Sequence, residues 1–218
     1  PAEFVCGLLN EQPMGFYLPD ALAHEAQRRG ISVLPVDVNE SGVECSVEWV
    51  EDELAVRIGL GYVKGAKEAG LRSLEAARAE AGPFTNVEDL AGRSGADGPT
   101  LEKLAWAGAC DCLGPNGRRE ALWLLGAAPA GEIKADESAQ LALPIAPLPA
   151  PRLNNLDAWD EMIADYGATG MTVGDHPMKL LRPRLEREGV TLSTTLSRLP
   201  ENTPVEVAGL VVARQRPG

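Results

Sequence analysis

The 218-residue chain carries 20 Lys and Arg against 32 Asp and Glu, a net charge of −12, with 44% hydrophobic and 24% charged residues. That is the composition of a soluble globular protein large enough for one or two cores, and no apolar run nears the roughly 18 residues of a transmembrane helix. The start lacks the basic-then-apolar order of a signal peptide, which makes the cytoplasm the expected compartment, and the acidity counts against an independent nucleic-acid-binding domain, usually basic.

In chain order, residues 2–10 read as a helix interrupted at Pro13-Met14-Gly15. Pro19-Asp20 opens a second helix with Leu22, Ala23 and Ala26 on one face, stopped by Gly30. ISVLPVDV (31–38) is apolar but too short for a helix and is broken by Pro35, and Asn39 to Gly42 signal a turn. ECSVEWV (44–50) and LAVRIGL (54–60) alternate as strands, the second with Leu54, Val56, Ile58 and Leu60 on one side. The acidic Glu51-Asp52-Glu53 between them is the expected hairpin turn.

The stretch from Arg57 to Arg119 organises the rest. An apolar segment ends in Lys64-Gly65-Ala66-Lys67 and leads into a helix carrying Leu71, Leu74 and Ala77, which breaks at Gly82-Pro83. Asn86 is the expected cap of a helix with Val87 and Leu90, and Thr100 that of a helix with Leu101, Leu104 and Ala105 before the turn at Gly108. Two short helical hairpins in tandem result. A hairpin turning on glycine can present backbone N–H groups at the start of its second helix to a phosphate oxygen, gripping nucleic acid without reading its sequence. Lys64, Gly65, Ala66 and Lys67 are the candidate phosphate-binding residues, with Arg72 and Arg78 on the following helix adding charge.

Beyond this region, residues 127–156 are an Ala- and Pro-rich connector, expected to be extended. LDAWDEMIADYGATG (156–170) reads as a helix with Leu156, Trp159, Ile163 and Tyr166 in register, His176 to Gly189 gives another, kinked or started at Pro183, and Thr203 to Val212 has strand character. Cys6, Cys45, Cys110 and Cys112 form no C-x-x-C pair, so free thiols are expected. No paired carboxylates suited to two metal ions stand out; Asp37-Val38-Asn39 is a weak mimic, and His24 and His176 read as packing or capping residues. Net charge is −8 over residues 1–61, −1 over 62–128, −5 over 129–165 and +2 over 166–218, so the acidity lies outside the hairpins.

AEFVCGLLNEQPMGFYLPDALAHEAQRRGI (2–31), LPVDVNES (34–41), RIGLGYVKG (57–65), LEKLAWAGACDCLG (101–114), GDHPM (174–178) and VEVAGLVVARQRPG (205–218) together resemble the C-terminal part of the bacterial C-family DNA polymerases, the polymerase III alpha subunit type. NEQPMGFY, GMTVGDHPM and ARQRPG are more similar to the error-prone, DnaE-like and ImuC-type branch.

The resemblance implies a mainly helical α+β chain. Its parts would be the end of the fingers domain (1–42), a β-hairpin connection (43–61), a tandem helix-hairpin-helix domain (62–128), a connector (129–156), a helical segment (157–199) and the first strand of an incomplete OB fold (200–218). It also implies double-stranded DNA as partner, a sliding clamp or an accessory mutagenesis protein as a second partner, and Mg²⁺ for the parent enzyme, whose catalytic carboxylates would lie before Pro1. Gln140, Leu141, Leu143 and Pro144 are similar to the clamp-binding peptide of such polymerases, with Pro144-Ile145 where an aromatic often ends it. The family turn is usually Gly-x-Gly, and here Lys67 stands at the second glycine. A protein-interaction scaffold whose hairpins no longer bind DNA is the alternative.

Overall fold

The computed structural model describes residues 1–15, 17–114, 117–127, 151 and 153–211. They form two compact units, Pro1–Val173 and Gly174–Gly218.

In the first unit, α1 (Ala2–Asn10) buries Ala2, Cys6 and Leu9, while α2 (Pro19–Arg28) starts on a proline and buries Ala23 and Ala26. Gly30 leaves α2 at φ +80°, the left-handed turn that glycine makes without a Cβ clash. Three strands follow, β1 (Val33–Leu34), β2 (Ser46–Val50) and β3 (Glu53–Arg57), in the order β1-β3-β2. β1 runs parallel to β3, with Val33 opposite Val56, and β2 runs antiparallel from Ser46 opposite Arg57 to Val50 opposite Glu53. Only Glu51 (φ 48°) and Asp52 (φ 66°) make the turn, and Glu53 already belongs to β3. Two consecutive positive φ values match the twist of the strands, so the hairpin closes one residue tighter than the acidic triplet suggests.

The chain then crosses its own backbone. A Cβ at Gly59 would overlap Val43 O and Glu44 C and lie 2.7 Å from Cys45 N, so only glycine lets the end of β3 pass this closely. A 3₁₀ turn (Leu60–Tyr62) leads to Gly65 and α3 (Glu68–Ala81). The first limb of the expected hairpin is therefore this single 3₁₀ turn.

α4 (Val87–Arg93) is capped by Asn86, whose side chain accepts from Asp89 N–H. α5 (Gly98–Trp106) begins earlier than expected, because Asp97 rather than Thr100 is its cap and accepts from Thr100 N–H. A second 3₁₀ turn (Asp111–Leu113) precedes α6 (Gly117–Ala127). Leu60, Leu71, Leu74, Leu90 and Leu104 join Leu9 and Val56 in one continuous core. α7 (Ala158–Ala168), capped by Asp157, closes the unit. Its buried face carries Met162, while Trp159 and Ile163 remain 40% and 52% exposed, so the helix is rotated from its apolar register.

In the second unit α8 (Pro177–Arg187) is capped by the His176 ring, which accepts from Met178 N–H, and runs through Pro183; α9 (Ser193–Leu196) is one turn. Residues 203–211 form no strand, and Thr191 N–H donates to Glu206 O at 2.8 Å. A strand needs a run of such bonds to a partner edge, and among the described residues this segment forms no ladder.

Candidate nucleic-acid interface

The turn from Val63 to Lys67 is built from the core outward. Val63 is buried, Ala66 N–H donates back to Val63 O at 3.1 Å, and Gly65 sits at φ +75°. Lys67 is the residue before α3 and its side chain does not cap that helix, so the positive end of the dipole meets no capping side chain among the described residues.

The starts of α3 and α5 lie side by side. Lys67 N–H donates to Thr100 Oγ1 at 3.3 Å, Lys67 Nζ meets Asp97 Oδ2 at 2.5 Å, and a Cβ on Gly70 would touch Ala96 Cα at 3.4 Å. Hydrogen bonds from Lys67 and from Thr100 hold the Asp97 carboxyl down at about 2, well below the usual range.

The side chains of the expected phosphate-binding residues diverge. Lys64 N–H donates to Ala168 O at 2.8 Å and its ammonium to Tyr166 O at 3.0 Å, so Lys64 sits on the carbonyl end of α7, where a cation is favoured. Arg72 pairs with Glu68 at 2.7 Å, and Arg78 donates to Val38 O at 2.7 Å. Gln140, Leu141, Leu143 and Pro144 lie outside the described residues.

Two residues the sequence reading passed over join the turn. Lys103 lies against Gly65, its Cε 3.0 Å from where a Cβ there would sit, and makes no ion pair among the described residues. Trp106, one turn further along α5, is 43% exposed. Their signal in the sequence is a spacing of three residues, which places both on one helix face. With Val63 and Lys64 from the turn and Leu156, Ile163 and Ala168 from around α7, they line a groove of about 480 Å³.

Behind it, Arg118 fastens α6 to α7. Its guanidinium reaches Asp165 Oδ1 at 2.7 Å, Trp106 O at 3.2 Å and Asp111 Oδ2 at 3.6 Å. Burial pushes the Asp111 carboxyl up to about 6 despite Arg118. No three His, Cys, Asp or Glu side chains gather to hold a metal ion among the described residues. No helix among those residues is long and apolar enough to cross a membrane.

The Gly65 turn and the neighbouring starts of α3 and α5 lie within residues 30–121, which match the helix-hairpin-helix motif family. All of the chain also aligns with proteins named error-prone DNA polymerase: 42% identical over 226 residues in Aromatoleum aromaticum, 41% over 219 in Pseudomonas paraeruginosa and 39% over 217 in Corynebacterium glutamicum. The alignments cover 100% of this chain and 20%, 21% and 19% of those relatives, so the chain spans about a fifth of their length. The chain is thus a homologue, through all its residues, of a part of the error-prone DNA polymerases.

Proposed function

We propose that this chain is the DNA-holding and partner-linking part of a cytoplasmic, damage-tolerant DNA polymerase, one that copies past lesions using Mg²⁺ held elsewhere in the parent protein. The observation that carries the proposal is the Gly65 turn feeding the uncapped start of α3, inside a helix-hairpin-helix match and a chain similar throughout to error-prone polymerases. Duplex DNA would lay a backbone phosphate at Lys64, Gly65, Ala66 and Lys67, where helix dipole and ammonium charge add. The assignment of residues 1–42 to the end of a fingers domain and 200–218 to the start of an OB fold belongs to the same proposal. So does a link through Gln140, Leu141, Leu143 and Pro144 to a sliding clamp or an accessory mutagenesis protein.

The scaffold alternative is favoured by one observation: Lys64 and Lys67 both spend their ammonium groups on partners within the chain. Titration of a labelled mixed-sequence duplex with the 218-residue chain at rising KCl separates the two. Salt-sensitive binding is expected, with Lys64→Ala lowering the salt slope by about one unit and Lys67→Gly, which removes a charge but opens the backbone, changing affinity little. Absence of duplex binding at low salt refutes the DNA-holding role and leaves the scaffold.

A further inference from the structure

We infer that the groove beside the hairpin turn is a second nucleic-acid site, which takes an unpaired base from a strand held at the turn. The inference rests on the DNA-holding role proposed above and extends it from duplex phosphate to single-stranded nucleic acid.

Three features of the groove carry it. The first is location, because Val63 and Lys64, which line it, immediately precede Gly65, and the Lys103 stem lies against Gly65 itself. A strand whose phosphate rests on the turn therefore has the mouth of the groove within one nucleotide's reach. The second is the lining: Trp106, 43% exposed, lines the groove together with the apolar residues Leu156 and Ile163. Every base has a π-face that can stack on an aromatic side chain, which makes this mode of binding indifferent to sequence. The third is charge. Lys64 and Lys103 stand on the hairpin side against the single carboxylate of Asp160 on α7, and the Lys64 ammonium rests on carbonyl groups, so its charge is not neutralised.

A volume of about 480 Å³ lies within the roughly 300–1,000 Å³ of sites for small organic molecules, room enough for a nucleobase. An apolar peptide would fill the same floor but would leave two lysines unused at the rim. A nucleotide uses both, the ring on Trp106 and the phosphate on the cations.

The test compares labelled oligonucleotides by fluorescence anisotropy: a blunt duplex, the same duplex with a three-nucleotide unpaired extension, and an oligo-dT single strand. The wild-type chain should bind the extended duplex about fivefold or more tighter than the blunt one, the lower end of what stacking one base contributes. Trp106→Ala should erase that advantage, weakening the extended duplex more than the blunt one, and Lys103→Gln should reduce it. Lys103→Gln changes only an exposed side chain, so it keeps the test open if Trp106→Ala fails to fold. Equal wild-type affinity for blunt and extended duplexes overturns the inference while leaving the DNA-holding role standing. Equal weakening of both by Trp106→Ala also overturns it, since the indole would then be supporting the fold. Binding to none of the three probes overturns both.

Discussion

The Lys67 ammonium is 2.5 Å from the Asp97 carboxylate, so the residue that leads into α3 is held by the residue that caps α5. The two hairpin turns thus neutralise one another at the point where a phosphate would add a second anion. Asp97 accepts from Lys67 and from Thr100 N–H, the two kinds of donor a phosphate oxygen would use.

Asp97→Asn should therefore strengthen duplex binding. With the carboxylate gone, Lys67 is released to DNA, and affinity at low salt should rise several-fold while the salt slope steepens by about one unit. Anisotropy titrations at three KCl concentrations check this. An unchanged slope would mean that Lys67 does not meet phosphate even when freed.

Gly59→Ala should destabilise the first unit by about 3 kcal/mol, near the upper end of what overpacking a rigid site costs. The obstructing atoms are backbone at Val43, Glu44 and Cys45 and cannot rotate away. The midpoint of urea unfolding measures the loss, and because Gly59 sits at an ordinary φ of −75° the loss reports the overlap and no left-handed backbone cost.

The Asp111 carboxyl makes stability depend on pH in a defined direction. Its folded-state value, about 6, lies above the ordinary 3.8, so the fold favours the protonated form. Its contribution is full below pH about 4 and is lost as pH rises through 6. Asp111→Asn should accordingly match the wild type at pH 4 and exceed it at pH 7.5. Because 45% of the Asp111 side chain still meets solvent, the gain should stay under about 1 kcal/mol, read from melting temperatures at the two pH values.

Thiol chemistry should be slow. Burial pushes Cys45 up to about 11, while burial and then the bond to Asp37 push Cys112 up to about 12; Cys6 and Cys110 are raised as well. The thiolate is the reactive form, so a colorimetric disulfide reagent at pH 7.5 should label the native chain far more slowly than the urea-unfolded one. Asp37→Asn should accelerate labelling of Cys112 alone, because it removes the carboxylate that Cys112 S–H donates to at 3.2 Å.

Local chemistry was legible in the sequence, and long-range chemistry was not. Pro19-Asp20 and Gly30 bracket α2 closely, and Asn86 caps α4, since each acts within one turn of its own position. The pairing of β1 with β3 joins Val33 to Val56, and nothing in a short apolar run says which strand it will meet. Nor does the pattern Trp159, Ile163, Tyr166 reveal that α7 turns Met162 inward instead, because that choice is made by the surfaces it packs on. At the candidate interface the Gly65 turn could be read directly. The destination of the Lys64 ammonium lies about a hundred residues away, at Tyr166 and Gly167, and only the folded chain brings it there.

That destination has a thermodynamic corollary. Lys64 closes the carbonyl end of α7, and α7 supplies one wall of the groove, so the residue that would greet a phosphate is also a hinge pin of that wall. A phosphate that drew the ammonium away would remove one of the bonds on the end of α7, leaving Lys64 N–H on Ala168 O, and an occupant that pushed α7 outward would loosen the ammonium. The two events would then be linked reciprocally: by whatever factor occupancy of the groove changed affinity at the turn, occupancy of the turn would have to change affinity in the groove.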